Sequence, residues 1–275
     1  MAKIFRRIRE KLLAENRLRK YLLYAVGEII LVVVGILIAL QINAINQDRE
    51  RAKMETVLLG QIKFELQEAY ADIWRDAGVL TMGNNAHRTI SSFITEDKAY
   101  AESLCFDFYW LMQDEYVYPT SASYARIKEV GLDIIKNDSI RIYLQSLFEG
   151  YFPRLDKNNS FTPDISAAFN DYYLTAFRPN TDMELRFSYP LADDTVGTRI
   201  YTDVSYEFPR MNQQGERFTV GYAPLDFEHL KKDPQFLMLL EQTQRYRNTK
   251  RRHYAAVKAT IKDVVGWIEA ELERR

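Results

Sequence analysis

Apolar residues are spaced in three ways along this chain, and each spacing predicts a different element. From Tyr21 to Ile42 they are nearly continuous (YLLYAVGEIILVVVGILIALQI), with Glu28 the only ionisable side chain apart from tyrosines. A helix of that length spans roughly 33 Å against a hydrocarbon core of about 30 Å, so the run predicts one transmembrane helix. From Gln47 to about Val79 the spacing is three or four, at Met54, Leu58, Ile62, Leu66, Ala69 and Ile73, with no proline. The membrane helix is therefore expected to continue as one rod, ending near Gly78–Asn85 where Gly and Asn cluster. Pro234–Arg275 predicts a second rod on the stripe Tyr254, Val257, Ile261, Val264, Ile268 and Leu272. Two one-sided rods must bury their stripes. Antiparallel pairing would bring the C-terminus back beside the membrane, and coiled-coil self-association is the rival.

Between the rods, Ala86–Ile94 and Asp97–Met112 are helical candidates. Ser121–Val130 and Ser139–Phe148 read as a helical hairpin, with Gly131 stopping the first helix and Asn137 or Asp138 capping the second. Thr162-Pro163 opens another helix to about Phe177. The period then changes to two, at Met183, Leu185, Phe187 and Tyr189, at Ile200 to Phe208, and at Phe218, Val220 and Tyr222. Three strands with turns near Asp193–Gly197 and Asn212–Gly215 predict a small antiparallel sheet, a β-rich insertion at about 183–222. The expected fold is mainly α. A transmembrane helix continues into a long helix, and a helical-bundle extracytoplasmic domain carries a small antiparallel β insertion.

Composition narrows the class. With 275 residues, 47% apolar, 13% aromatic and eight prolines, the chain is expected to fold around a core, and disorder and collagen-like structure are excluded. Cys105 is its one cysteine, so no intrachain disulfide forms. The net charge of −1 hides an asymmetry: residues 1–20 carry +6, and the remainder carries −7. Arg6, Arg7, Arg9, Lys11, Arg17, Arg19 and Lys20 form a membrane-surface basic segment, with Ile4, Phe5, Ile8, Leu12 and Leu13 at helical spacing between them. That pattern suits an amphipathic interfacial helix against anionic lipid; a plain topogenic charge cluster is the alternative. No motif supports nucleic-acid binding. A cleaved signal lacks its small-residue site after the apolar run, and a soluble core helix rarely carries so many flanking cations. Three basic residues follow the span soon after it against eight before it, which predicts a cytoplasmic N-terminus. The expected organisation is 1–20 cytoplasmic, 21–42 spanning a bacterial inner membrane, and 43–275 periplasmic.

Inside the span, about 100° per residue places Glu28, Gly35, Ala39 and Asn46 on one stripe with Tyr24, and Asn43 beside it. Gly35-x-x-x-Ala39 is a small-xxx-small pair that lets another helix approach closely. Glu28 on the same stripe is costly against lipid, and reads as a hydrogen-bonding residue at a helix–helix contact, with snorkelling or a proton-relay role as alternatives. Over Lys20–Asn43 and Asn46, with Gly27-Glu28 and Gly35, the segment resembles the N-terminal hallmark of a domain-of-unknown-function family of single-pass inner-membrane proteins common in Bacteroidota-type bacteria. Ala44-Ile45 stands where relatives often carry tryptophan. The resemblance is loose beyond about Asn46, resting on SYARIKEVGLDIIKNDSIR and the long C-terminal helix. It implies a mostly helical extracytoplasmic part and no particular activity.

Catalytic chemistry is not visible. His87, His229 and His253 are far apart, Cys105 reads as a small buried hydrophobe, and Asp133, Asp138, Asp193 and Asp194 read as caps and turns. Neither a cofactor nor a metal site is expected. Residues 105–124 hold seven aromatics, of which Trp110, Tyr116 and Tyr118 form a possible ligand groove, the alternative being domain core. Three functional readings follow. The first is a non-enzymatic membrane-anchored interaction or assembly protein, a homo-oligomer or a subunit of a membrane-protein complex, with the lipid bilayer its other partner. The second is a sensor that binds a ligand or peptide outside the cytoplasm, and the third an unrecognised envelope enzyme.

Overall fold

A helix stops where its backbone finds other partners, and in the computed structural model that point comes later than the sequence suggests. The structure describes residues 18–157, 163–180, 185–189, 193–201, 204–208 and 221–275, and it is mainly helical. The first helix, α1, runs unbroken over Leu18–Thr95. The expected stop near Gly78–Asn85 does not occur, and Ala86–Ile94 is the last stretch of α1 rather than a separate helix. Gly83 and Asn84 serve packing instead: a Cβ at Gly83 would lie 2.5 Å from Nε of the buried Arg247. Asn84 is buried and donates to Asn248 at 3.5 Å. Termination falls at Asp97, the left-handed residue of a Schellman cap, with φ 49°. There Lys98 N donates to Phe93 O at 2.9 Å and Asp97 N to Ile94 O at 3.3 Å. Lys231, 2.6 Å away, pairs with the Asp97 carboxylate where glycine is usual.

That cap shortens the next helix. The expected helix from Asp97 begins only at Leu104, giving α2 (Leu104–Met112). α3 covers Ala122–Val130 and ends at Gly131, whose φ of 109° favours glycine. α4 (Asp138–Gln145) is capped by Asn137, which accepts from Ser139 N and Ile140 N, and passes into a π turn over Ser146–Tyr151. α5 (Ile165–Ala176) is capped by Asp164, which accepts from Ala167 N at 2.9 Å. The expected Thr162 cap lies outside the described residues, and Pro163 precedes the cap rather than opening the helix.

The β insertion is a nested ribbon instead of a three-stranded sheet. β1 (Phe177–Asn180) has its partner in the sixth strand, β6 (Gly221–Pro224). Inside that pair β2 (Leu185–Tyr189) meets β5 (Val204–Phe208), and innermost β3 (Asp194–Val196) meets β4 (Arg199–Tyr201), all antiparallel. Period-two spacing identifies strands but not how many partners each has. Met183, Phe218, Val220 and the expected turn at Asn212–Gly215 lie outside the described residues. A short helix, α6 (Phe227–Leu230), then leads through the cap Asp233 into α7 (Pro234–Glu273).

The chain divides into two compact units, Met1–Glu55 and Thr56–Arg275. In the first, the large apolar side chains of α1 described from Leu22 to Ile45 are exposed. Among the described residues one helix is long and apolar enough to cross a membrane, with a mean hydropathy of 2.6 over its most apolar 18 residues. In the second, the stripes read from sequence meet in one core: Leu58, Ile62, Leu66 and Ile73 of α1 with Val257, Ile261, Val264 and Ile268 of α7. The ribbon tip closes over both helices. Gln67 Nε2 donates to Val196 O at 3.1 Å, Tyr201 OH to Gln67 O at 2.7 Å, and Thr198 N to Glu269 at 3.2 Å. Asp194, expected as a turn residue, ties the tip to Tyr70 of α1 and to Lys262 and Lys258 of α7. Burial pushes its carboxyl up, but the Lys262 and Tyr70 hydrogen bonds outweigh this and bring it to about 2.

Gly83 and Gly60 both lie within α1 and separate packing from propensity. Gly83→Ala is expected to lower unfolding free energy by about 1–3 kcal/mol, because a methyl has no room beside Arg247. Gly60→Ala meets open space and should raise it by about 0.5–1 kcal/mol. Urea titrations of the two variants check the pair.

Candidate functional site

The apolar segment of α1 presents Glu28, Gly35, Ala39, Asn43 and Asn46. Gly35, Ala39, Asn43 and Asn46 are exposed and Glu28 is half-buried. A Cβ built at Gly35 meets nothing within 4 Å, so another backbone has room to approach. From Glu28 to Asn46 the stripe runs about 27 Å. Chemically it offers close van der Waals packing, one carboxyl group and two amides that both donate and accept. Of the basic segment, Arg6, Arg7, Arg9, Lys11 and Arg17 lie outside the described residues, as do the side chains of Arg19, Lys20 and Tyr24.

The aromatic trio separates. Trp110 is 6% exposed, with its ring edge-on to Phe106 and Tyr109. Tyr116 is half-buried, and Tyr118 is 66% exposed. Phe108 and Tyr124 belong to the core. Two surface cavities in the domain are lined by other residues: one of about 710 Å³ on α7, the other of about 720 Å³ beside Val57, Phe64 and Arg126.

Tyr116 leads instead to a buried charge centre that the sequence reading missed. Lys250 of α7 pairs with Asp114 at 2.5 Å, and both side chains are essentially removed from solvent. Asp114 also accepts from Ile165 N at 2.8 Å and Tyr116 OH at 2.9 Å, which joins the start of α5 to the pair. The Lys250 ammonium stands 3.8 Å from the Tyr116 ring centroid, a cation–π contact in a desolvated setting. Burial pushes the Lys250 ammonium down, opposed by Asp114. Burial likewise pushes the Tyr116 hydroxyl up, reinforced by Asp114. One turn earlier, fully buried Arg247 donates to Leu111 O at 2.6 Å and to Gln244 at 3.3 Å. Losing one partner of a buried pair typically costs roughly 3–5 kcal/mol, because the other charge is stranded. A signal for this centre exists in the sequence: Arg247 and Lys250 continue the Tyr254, Val257, Ile261 stripe toward the N-terminus of α7.

The remaining candidates do not converge on chemistry. His87 Nε2 lies 3.8 Å from Glu241, and burial holds the imidazole below its ordinary value. His229 sits in α6 and His253 in α7, while Cys105 is buried with its thiol pushed up by burial. Among the described residues no group of three or more His, Cys, Asp or Glu could hold a metal ion. No known protein family, curated protein or solved structure matches this chain.

Beside the charge centre, Asp76 has a buried Oδ2 without a hydrogen-bond partner. Burial, then Glu115 and Asp72, raise its carboxyl to about 7 against the pull of Arg75 and Lys250. The folded state thus holds a proton that the unfolded chain has released between about pH 4 and pH 7. Stability should fall as pH rises through that window, by on the order of 2–4 kcal/mol, and level off above it. Asp76→Asn keeps the uncharged form, so urea denaturation from pH 4 to 8 should show a flatter profile and a more stable variant at pH 8. An unchanged slope would remove Asp76 as its source.

Proposed function

We propose that this protein is a non-enzymatic, membrane-anchored interaction or assembly protein. Its α1 span crosses a bacterial inner membrane once, with the basic segment cytoplasmic and the helical domain periplasmic. The observation that carries this reading is the apolar stretch of α1, which no described part of the protein covers and which holds Gly35 and Ala39 open beside Glu28. Lipid covers most of such a surface; a second helix is the natural cover for the stripe, where small residues permit close contact and a carboxyl group is costly against lipid. The protein accordingly self-associates or joins a membrane complex through that face, and the resemblance to single-pass proteins of the inner membrane fits the same reading. Sizing the detergent-solubilised protein tests it. Gly35→Leu and Glu28→Leu should each shift the protein toward a smaller species, whereas unchanged size for both would remove the span as the assembly element.

A sensor is the second reading, favoured by a specific feature: α1 is one helix of 78 residues with no break. In that case the helix passes the signal across the bilayer to a cytoplasmic effector. Crosslinking in cells from a photoreactive residue at Arg17 should recover it; recovery of lipid alone would leave the assembly reading.

A further inference from the structure

From Gln242 to Lys262, α7 holds seven Lys and Arg residues and no Asp or Glu. Most have a structural role. Lys250 pairs with Asp114, Lys258 and Lys262 pair with Asp194, and Arg247 is buried. Arg245, Arg251 and Arg252 are different: they are exposed, and no described carboxylate lies at salt-bridge distance from any of them. Elsewhere on the surface cations are commonly matched, as Lys128 is by Glu149 and Arg199 by Glu68.

These three arginines surround the cavity of about 710 Å³, whose remaining described lining is Asn248, Thr249 and Ala255. The described lining offers guanidinium, amide and hydroxyl donors and no acid. The nearest acid along the helix, Glu241, is one turn before Arg245 and is directed to His87. The positive field of this face is backed from below by the Arg247 guanidinium, which donates to neutral oxygens of Leu111 and Gln244 and is partly offset by the Asp114 carboxylate. The same field is felt at His253, whose imidazole is held down by burial and then by Arg154 and Arg252. Ala255 leaves space at the end of the row.

We propose that this face of α7 is a binding site for a phosphate-bearing anion. Three guanidinium forks within about two turns match a ligand with several charges and many acceptor oxygens; a lone carboxylate would occupy one fork and leave the other two repelling each other. The site is separate from the span, and binding there does not depend on whether α1 self-associates.

The test uses the full chain in a neutral detergent and isothermal titration calorimetry. The probes are inorganic tripolyphosphate for a soluble phosphate, short-chain phosphatidylglycerol below its micellar concentration for a lipid phosphate, and poly-glutamate for an acidic peptide. Binding of either phosphate probe, weakened about tenfold or more by Arg245→Gln/Arg252→Gln and unaltered by Arg6→Gln/Arg7→Gln, supports the site and says which source it takes. Arg245 and Arg252 are exposed, so their double variant should keep the parent melting temperature. No binding of the phosphate probes, or binding that follows Arg6 and Arg7 instead, overturns the proposal. Tighter binding of poly-glutamate than of either phosphate at Arg245 and Arg252 overturns the phosphate assignment in favour of an acidic peptide.

Discussion

Lys250 and Arg247 sit one turn apart on the inward face of α7, and a charge taken out of water has to be met by partners inside the protein. Asp114 and the Tyr116 ring meet the first, and the Leu111 carbonyl meets the second. All three come from the end of α2 and the segment after it, so this stretch has little freedom in where it lies. Asp114 in turn receives the first amide of α5. α1 complies as well, with Gly83 leaving the space that the arginine side chain fills. One polar centre thus orients four elements whose apolar contacts alone would tolerate sliding. Hydrophobic burial supplies most of the driving force, but it is non-directional; the ion pair and its hydrogen bonds select the register.

A second polar clasp works at the other end of α7. Asp194 and the backbone of the ribbon tip engage Tyr70, Gln67 and Glu269, so the inner hairpin is held by tertiary partners as well as by its own ladder. An isolated two-stranded ribbon is marginal in water, and Val196 and Tyr201 are buried because the two long helices offer a surface for them. The ribbon caps the α1–α7 seam rather than forming a separate sheet domain.

Long elements were legible because their signals repeat. The stripes of α1 and α7 needed no partner to be recognised, since an apolar residue every three or four positions already implies one buried face. Local stops were legible where one residue decides them, as at Gly131 and at the Asn137 cap. Gly83 shows the limit: glycine within a helical pattern reads equally as a terminus or as room for a neighbour, and the neighbour, Arg247, lies far along the chain. Asp97 shows the converse, since an aspartate in the left-handed position depends on Lys231, which sequence order does not reveal. The aromatic segment was ambiguous for a similar reason. Trp110, Tyr116 and Tyr118 carry comparable rings and end with very different exposures, because Trp110 lies in α2 whereas Tyr116 and Tyr118 follow it in an irregular segment, where no fixed period relates side chains to a face.

Periodicity and charge along the chain determined that this protein has one bilayer-length apolar helix, two amphipathic rods and a short β segment. Those properties are sums over neighbouring residues and survive ignorance of the partner. Tertiary structure alone decided that two cations of α7 are interior while three nearby arginines line an open cavity, and that the strands nest as a ribbon. Those outcomes depend on pairs more than a hundred residues apart in the case of Lys250 and Asp114. Whether a charge is buried or solvated is set by what folds against it, a property that no local window of sequence contains.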